Sequence, residues 1–235
     1  MWESTVDGRR LNFHLAGINN QNFIMRDEET GSWWQQVTGE AILGPLKGRR
    51  LNPVFSDEVS FATWKHERPQ GRVLRPDPDR AGKYAPANWE ERMSRAPVVT
   101  PINPDESLAP RTLVIGLSIN GEAKAYPLAD LERQNPVLDT LGGVPLVVVV
   151  GDDQRSVRAF GRIVSGRQLE LFVKPGATPL QLLDAETGSV WDFTGQAVSG
   201  PLVGRQLRKL QVLSDYWFDW KTHHPNTAVY SLGSR

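Results

Sequence analysis

One sequence motif occurs twice in this chain of 235 residues. Residues 29–51 read ETGSWWQQVTGEAILGPLKGRRL, and residues 186–207 read ETGSVWDFTGQAVSGPLVGRQL. With a one-residue gap in the second copy, 14 of its 22 positions are identical, and the matches extend outward to Trp64 and Trp220. A repeat of this length predicts two units of the same fold, so the duplication constrains the architecture more than any other feature.

Short alternating segments separated by glycine-containing turns predict strands before and within each copy. After each copy, a short segment carries Trp64 or Trp220 and ends at a proline, which indicates a helix. We expect a mainly β (α+β) fold, with two duplicated β-rich lobes in a pseudo-two-fold arrangement, each with a short Trp-bearing helix. The matched tryptophans are expected in the core, namely Trp34 and Trp191, and Trp64 and Trp220.

The composition changes between the two copies. Residues 75–110 hold 7 of the 17 prolines, which is typical of an extended connector on the surface, with Trp89 as its anchor. We therefore expect a first repeat lobe at 1–74, a connector at 75–110 and a second, complete lobe at 111–235. The first lobe is expected to lack its opening strands, because Met1 lies just before its first predicted turn.

The charge balance and the residue types exclude several classes of function. Lys and Arg total 27 and so do Asp and Glu, so nothing favours nucleic acid or an anionic membrane as a partner. The apolar runs are too short for membrane insertion, and the residues after Met1 do not form a signal peptide. Cysteine is absent, which excludes thiol catalysis and disulfides. A small polar molecule is the expected partner, and the oligomeric state is left open.

Differences between the two copies indicate where a site lies. Nucleotide-binding glycine loops, nucleophile elbows and zinc-protease motifs are absent. The first copy carries Asn20, Asn22, Gln36 and Glu40, whereas the second has no like residues at these places. A shared fold explains shared residues, so the unshared polar residues point to a candidate site in the first lobe.

The chemistry these residues offer is water activation and proton transfer. In a hydrolase of small esters, lactones or glycosides, Glu40 or Asp27 would be the base and His14 would assist. The groups expected to bind the ligand are Asn20, Asn22, Gln36 and Trp33. Structural roles compete with each assignment: turn capping for Asp27, a satisfied strand histidine for His14, packing for Trp33, and solvent exposure for Gln36 and Glu40.

Two alternatives to catalysis stay open, namely a non-catalytic module that binds a polar ligand and a structural pseudo-dimer. No cofactor is required by the hydrolase hypothesis, and no metal site is predicted. Calcium is an alternative occupant, because Asp27, Glu29 and Asn22 supply hard oxygen ligands. Their spacing matches no EF-hand loop.

The motif at Asp27–Leu51, followed by Trp64-Lys65, resembles the prokaryotic family known as domain of unknown function 3179. The run GLSINGEAKAYPLADLERQNPVLDTLGGVPLVVVV, residues 116–150, resembles the same family. The resemblance implies a fold relationship, and members are often exported or membrane-anchored. Members usually carry a Cys-Pro-Leu-Cys-like segment after the valine-rich strand, where this chain has Gly151-Asp152-Asp153. Any role of those cysteines is therefore excluded here.

Overall fold

The computed structural model describes residues 1–19, 22–98 and 107–233. The protein is mainly β, with several antiparallel sheets and a few short helices, as predicted. None of the helices in these ranges has the length and apolar character needed to cross a bilayer.

The first motif supplies the last two strands of a four-stranded antiparallel meander that follows a small hairpin. The hairpin consists of β1 (Thr5–Val6) and β2 (Arg9–Arg10). The meander consists of β3 (Phe13–Asn19), β4 (Asn22–Asp27), β5 (Trp33–Gln35) and β6 (Ala41–Leu43). Its core contains Val6, Leu11, Trp34, Ala41 and Leu51.

The second motif supplies the last two strands of another four-stranded meander, which has the same strand order and also follows a small hairpin. Strands β12 (Ile163–Val164) and β13 (Arg167–Gln168) form the hairpin. The meander runs through β14 (Leu171–Val173), β15 (Gln181–Asp184), β16 (Val190–Asp192) and β17 (Ala197–Ser199). Trp191 lies in its core, where it is fully buried like Trp34, so both of these tryptophans are core residues as predicted.

Two further sheets complete the β structure. One has the order β18 (Arg208–Leu210), β11 (Val157–Gly161), β10 (Val144–Val150) and β9 (Val137–Leu141). The other has the order β19 (Leu213–Tyr216), β7 (Leu113–Ile119), β8 (Glu122–Pro127) and β20 (Ala228–Val229). The valine run of β10 is buried on both faces, which explains its continuous hydrophobicity.

Two short tryptophan-bearing helices follow the two meanders, as predicted, but only one tryptophan is fully buried. Helix α1 (Phe61–Glu67) carries Trp64, and a later helix (Trp217–His223) carries Trp220. Trp220 is 2% exposed and packs on Gly116 of β7. Trp64 is only half-buried and stacks on Phe61, so the expectation of equal burial was wrong for Trp64. The later helix packs on β7 and β8. Within the described part of residues 1–74, no equivalent pair of strands packs against α1.

The proline-rich segment contains two short helical elements. A 3₁₀ helix spans Pro78–Lys83, and α2 spans Trp89–Arg95. Neither contains a buried residue, and Trp89 is 50% exposed. The remaining helices are α3 (Leu128–Arg133), which packs on the β8–β10 core, and the C-terminal helix, α4 (Trp217–His223).

Candidate functional site

The C-terminal helix and the strand before it align two aspartates with a histidine. Asp215 lies in β19 opposite Val114, and Asp219 and His223 follow at successive intervals of four residues. Asp219 and His223 therefore lie on one face of α4, since residues four apart are neighbours on a helix. Nε2 of His223 lies 3.5 Å from Oδ1 of Asp219, and both side chains are almost fully buried.

Side chains from the first meander complete this group, which we call the acidic cluster. The amide of Asn22 in β4 donates a hydrogen bond to Oδ2 of Asp219. The amide nitrogen of Gln35 in β5 lies 3.4 Å from Nδ1 of His223. The acidic cluster, formed by Asn22, Gln35, Asp215, Asp219 and His223, thus joins the first meander to the last helix.

Proximity of the two aspartates changes the protonation of Asp215. Burial and the negative charge of Asp219 raise the pKa of the Asp215 carboxyl to about 8. Asp215 therefore holds its proton more tightly than an ordinary carboxyl group, and its side chain hydrogen-bonds to that of Asp219. In the described ranges, no N–H or hydroxyl group donates to the buried Oδ1 of Asp219. The interaction with Asp215 thus adds to the hydrogen bond that the Asp219 carboxylate already accepts from Asn22.

A cavity of about 980 Å³ lies against the acidic cluster. Asp215 and Asn22 are in its wall, whereas Asp219 and His223 lie behind them. Five aromatic side chains line it, namely Trp2, Phe23, Trp89, Tyr216 and Trp220. The other polar side chains in the wall are Gln36, Glu58, Ser118, Gln211, Ser214 and His224. A concave apolar site with a few convergent polar groups is the usual form of a small-molecule site.

His224 supplies an uncharged imidazole on this wall. Its ring lies against Trp220, with ring centres 3.9 Å apart. Burial and the neighbouring His223 lower the pKa of His224 below its usual value. The imidazole is therefore neutral at pH 7 and able to accept a proton.

Glu58 brings a further carboxyl group to the cavity. Glu58 is exposed to solvent, but the surrounding protein still raises its pKa by desolvation, with a further contribution from the charge of Glu90. Glu58 also interacts electrostatically with Asp215. The wall thus holds two carboxyl groups whose protons are bound more tightly than usual.

The corresponding face of α1 carries a structural ion network instead. Counted from the two tryptophans, Glu67 occupies the position of His223. Both oxygens of Glu67 accept hydrogen bonds from the buried guanidinium of Arg158, at 2.6 and 2.8 Å. Asp57 lies 3.0 Å from Arg158 and 2.7 Å from Lys209. These charges compensate one another outside the cavity wall, so we assign this network to stability.

Of the residues that the sequence indicated, the structure brings Asn22 and Gln36 to the cavity. The Asn22 side chain is 7% exposed, and Gln36 also accepts a 2.6 Å hydrogen bond at its backbone carbonyl from Nε1 of Trp2. Asn20 lies outside the described residues. Asp27, His14, Glu40 and Trp33 are elsewhere in the fold.

Asp27 holds a turn and a tryptophan. Its carboxylate accepts hydrogen bonds from Nε1 of Trp34 at 2.8 Å and from the backbone and side chain of Thr30. Burial tends to raise the pKa of Asp27, but these hydrogen bonds outweigh it and keep the pKa below its usual value. Asp184 accepts a 2.9 Å bond from Nε1 of Trp191 in the same way, so the capping role explains why both motifs contain the residue.

Glu40, His14 and Trp33 lie on other surfaces. Glu40 accepts a 2.7 Å hydrogen bond from the guanidinium of Arg50, in an exposed ion pair. His14 is exposed on β3 opposite Arg26. Trp33 is half-buried on β5 and does not line the cavity. The arrangement therefore brings none of these three into one pocket with Asn22.

The oxygen ligands considered for calcium are also separated. Asn22 binds Asp219, Asp27 binds Trp34 and Thr30, and Glu29 accepts hydrogen bonds from the backbone and side chain of Asn12. Within the described parts of the chain, no group of three or more His, Asp or Glu side chains has a geometry suited to a metal ion.

The sequence contained a signal for the acidic cluster that the comparison of the motifs did not use. Asp215, Asp219 and His223 follow the pattern D-x-x-x-D-x-x-x-H, and the same places before and in α1 hold Val59, Thr63 and Glu67. Extending the comparison from the motif to the following helix reveals this difference. The partnership with Asn22 has no such signal, because it depends on how the two halves pack.

Comparison with protein families matches residues 1–227 to one family model, described as a protein of unknown function (DUF3179). No curated protein and no solved structure matches the chain.

Proposed function

The chain belongs to the DUF3179 family of proteins of unknown function, and from that premise we propose that it is a hydrolase of small esters or lactones. The observation that supports this proposal is the arrangement of Asp215, whose pKa is raised, and His224, whose pKa is lowered, in the wall of one large cavity. An acid that holds its proton and an uncharged base that can accept one are the two groups that hydrolysis at a carbonyl carbon can use.

Each group has a defined task in the proposed reaction. His224 accepts a proton from a water molecule as the water oxygen attacks the carbonyl carbon. Asp215 donates its proton to the carbonyl oxygen of the substrate, which stabilises the developing negative charge. When the tetrahedral intermediate collapses, this proton returns to Asp215 and the bond between the carbonyl carbon and the ester oxygen breaks. The protonated His224 then gives its proton to the departing oxygen. Asp219 does not reach the cavity and is a positioning residue, because it holds the Asp215 proton and is itself oriented by Asn22.

The arrangement of carboxyl groups favours esters and lactones over glycosides. Retaining glycosidases place two carboxyl groups about 5–5.5 Å apart across the substrate, and inverting enzymes about 6.5–9.5 Å apart. Asp215 and Asp219 instead share a hydrogen bond, and only Asp215 is in the wall. The pair therefore acts as one acid rather than as two groups on opposite sides of a sugar.

The test is a screen of esters, lactones and aryl glycosides, followed by Asp215→Asn. The asparagine keeps the size of the side chain and a donor toward Asp219, but it cannot release a proton. We expect the rate to fall by about 10²–10⁴. Glu40→Gln is the matched control, because Glu40 is paired with Arg50 outside the cavity. Full activity in Asp215→Asn, or its loss in Glu40→Gln, would contradict the assignment.

A non-catalytic module that binds a polar ligand is the second candidate, and the five aromatic side chains of the cavity favour it. The same screen separates the two. A binding module retains ligands from the panel without turnover, and Asp215→Asn then changes affinity rather than rate.

A further inference from the structure

The described part of the cavity wall contains two carboxyl groups and a histidine whose pKa is lowered. Glu58 and Asp215 contribute carboxyl groups, and Glu90 interacts electrostatically with Glu58. In the described ranges of the chain, neither lysine nor arginine lines the cavity. A carboxylate at Glu58 repels an anionic ligand and attracts a cationic one, and it has no counter-charge in the wall from lysine or arginine.

Aromatic rings border the same space. Phe23 and Trp89 are about half exposed, at 49% and 50%, and Trp2 is held by the hydrogen bond from its Nε1 to the carbonyl of Gln36. The face of an aromatic ring attracts a cation through its quadrupole. We exclude Tyr216 from this set because the guanidinium of Arg111 already lies 5.0 Å from its ring centre.

Elsewhere in this protein, an aromatic ring next to a carboxylate holds a cationic side chain. Lys209 lies 5.3 Å from the ring centre of Phe55 and 2.7 Å from Asp57. Lys124 lies 5.6 Å from the ring centre of Tyr126 and 2.6 Å from Asp139. The cavity offers the same combination of groups, but the described residues place no lysine or arginine over Trp2, Phe23 or Trp89.

We propose that the cavity selects small organic cations, so that the substrate is an ester or lactone that carries an alkylammonium group. The inference rests on the proposed hydrolase and names its substrate class. A bound alkylammonium group supplies the cation between aromatic rings and a carboxylate. It contacts the rings of Trp2, Phe23 and Trp89 and neutralises Glu58. The carbonyl of the same molecule then extends toward Asp215, on the wall that Asp215 and Glu58 share.

Binding of choline and of dimethylbutanol, its uncharged isostere, tests the selectivity by titration calorimetry. The two probes have the same shape and differ by one charge. We expect the isostere to bind at least about tenfold more weakly than choline. Equal affinity, or tighter binding of the isostere, would overturn the inference.

Three variants locate the selectivity. Glu58→Gln is expected to reduce the preference for choline severalfold, and Trp89→Leu is a second variant that alters a ring instead of a charge. Glu132→Gln on α3 removes a carboxylate of the same size outside the cavity and is expected to leave both affinities unchanged. Thermal unfolding of each variant verifies folding. A preference unchanged in both cavity variants would overturn the inference.

Hydrolysis of acetylcholine and of dimethylbutyl acetate separates the inference from the proposed function. Faster cleavage of acetylcholine supports both. Equal cleavage of the two esters supports the hydrolase and overturns the cation selectivity. Selective binding of choline without cleavage of either ester supports the selectivity and contradicts the hydrolase.

Discussion

Asn22 in β4 donates a hydrogen bond to the buried carboxylate of Asp219 in α4, although 197 positions separate the two residues in the sequence. The contact is a direct polar link between the first meander and the C-terminal helix. Asn22 also lies in the cavity wall, so the bond fixes the wall and the acidic cluster relative to each other.

Removal of this donor is expected to destabilise the protein. Asn22→Ala leaves Oδ2 of Asp219 without its amide donor in a site that is 4% exposed. We expect the free energy of unfolding to fall by about 1.5–3 kcal/mol, the range for hydrogen bonds to charged groups. Urea unfolding at pH 7 measures the change, and the exposed Asn226→Ala is the control, expected to stay within about 0.5 kcal/mol. Equal effects in the two variants would show that the link contributes little.

Asp215 is expected to make stability depend on pH. Its pKa is raised from 3.8 to about 8 by burial and by Asp219, so between these values the folded state holds a proton that the unfolded state has released. The free energy of unfolding contributed by Asp215 therefore falls as the pH rises from about 4 to about 8. Asp215→Asn removes this loss, and we expect the variant to be more stable than the parent at pH 8 by on the order of 2 kcal/mol.

Denaturant unfolding of the two proteins from pH 4 to pH 9 tests this directly. Every other residue is the same in the two proteins, so the comparison isolates the substitution at Asp215. The difference should be small near pH 4 and grow toward pH 8. Parallel curves would mean that Asp215 titrates near its usual value.

Asp215 and His224 set the expected pH dependence of activity. In the proposed reaction, kcat/KM declines above about pH 8, where Asp215 loses its proton. It also declines at acidic pH, where His224 becomes charged, and this limb lies below the usual histidine value because the pKa of His224 is lowered. His224→Gln should reduce the rate and abolish the acidic limb while the alkaline limb remains. An unchanged acidic limb in that variant would assign it to another group.

The sequence predicted local elements well because their causes are local. Trp34 donates a hydrogen bond to Asp27, and Trp191 donates one to Asp184. Each bond joins residues at the two ends of an eight-residue segment, and the same residues occur in both copies of the repeat. The mainly β class and the tryptophan-bearing helices follow from the same patterns. The pseudo-two-fold arrangement stays a prediction.

The candidate site was less accessible to sequence reasoning. The unshared polar residues did identify Asn22 and Gln36, which line the cavity. Glu40 differs between the motifs for another reason, since its partner is Arg50, where the second motif has Gln206. The comparison matched Trp64 with Trp220 but did not consider the unshared residues around these tryptophans, and so missed Asp215. No local pattern reveals that Asp219 meets Asn22, because that contact arises from the packing of distant segments.

The two tryptophans of the paired helices should differ in their contribution to stability. Trp220→Ala removes a side chain that is 2% exposed and donates a 2.9 Å hydrogen bond to Thr227, so we expect a loss of about 3–5 kcal/mol. Trp64→Ala, the matched variant, removes a half-buried indole and should cost less than about 2 kcal/mol. Thermal and urea unfolding compare the two. A larger loss at Trp64 would contradict the difference in burial.

Substitutions in α1 and beside α4 are expected to affect different properties, namely stability and activity. Glu67→Gln in α1 removes one of the two carboxylates that compensate the buried Arg158, and Asp57 remains. We expect a loss of about 2–4 kcal/mol in the free energy of unfolding, because breaking a buried pair leaves charge uncompensated. The variant should keep its affinity for cavity ligands and its rate, since Glu67 and Arg158 lie outside the wall. Asp215→Asn, beside α4, should show the opposite result, with the rate lost and stability at pH 8 increased. Measurement of unfolding and turnover in both variants tests the assignment of the ion network to stability and of Asp215 to catalysis. A loss of rate in Glu67→Gln while folding is intact would place the ion network in the functional site.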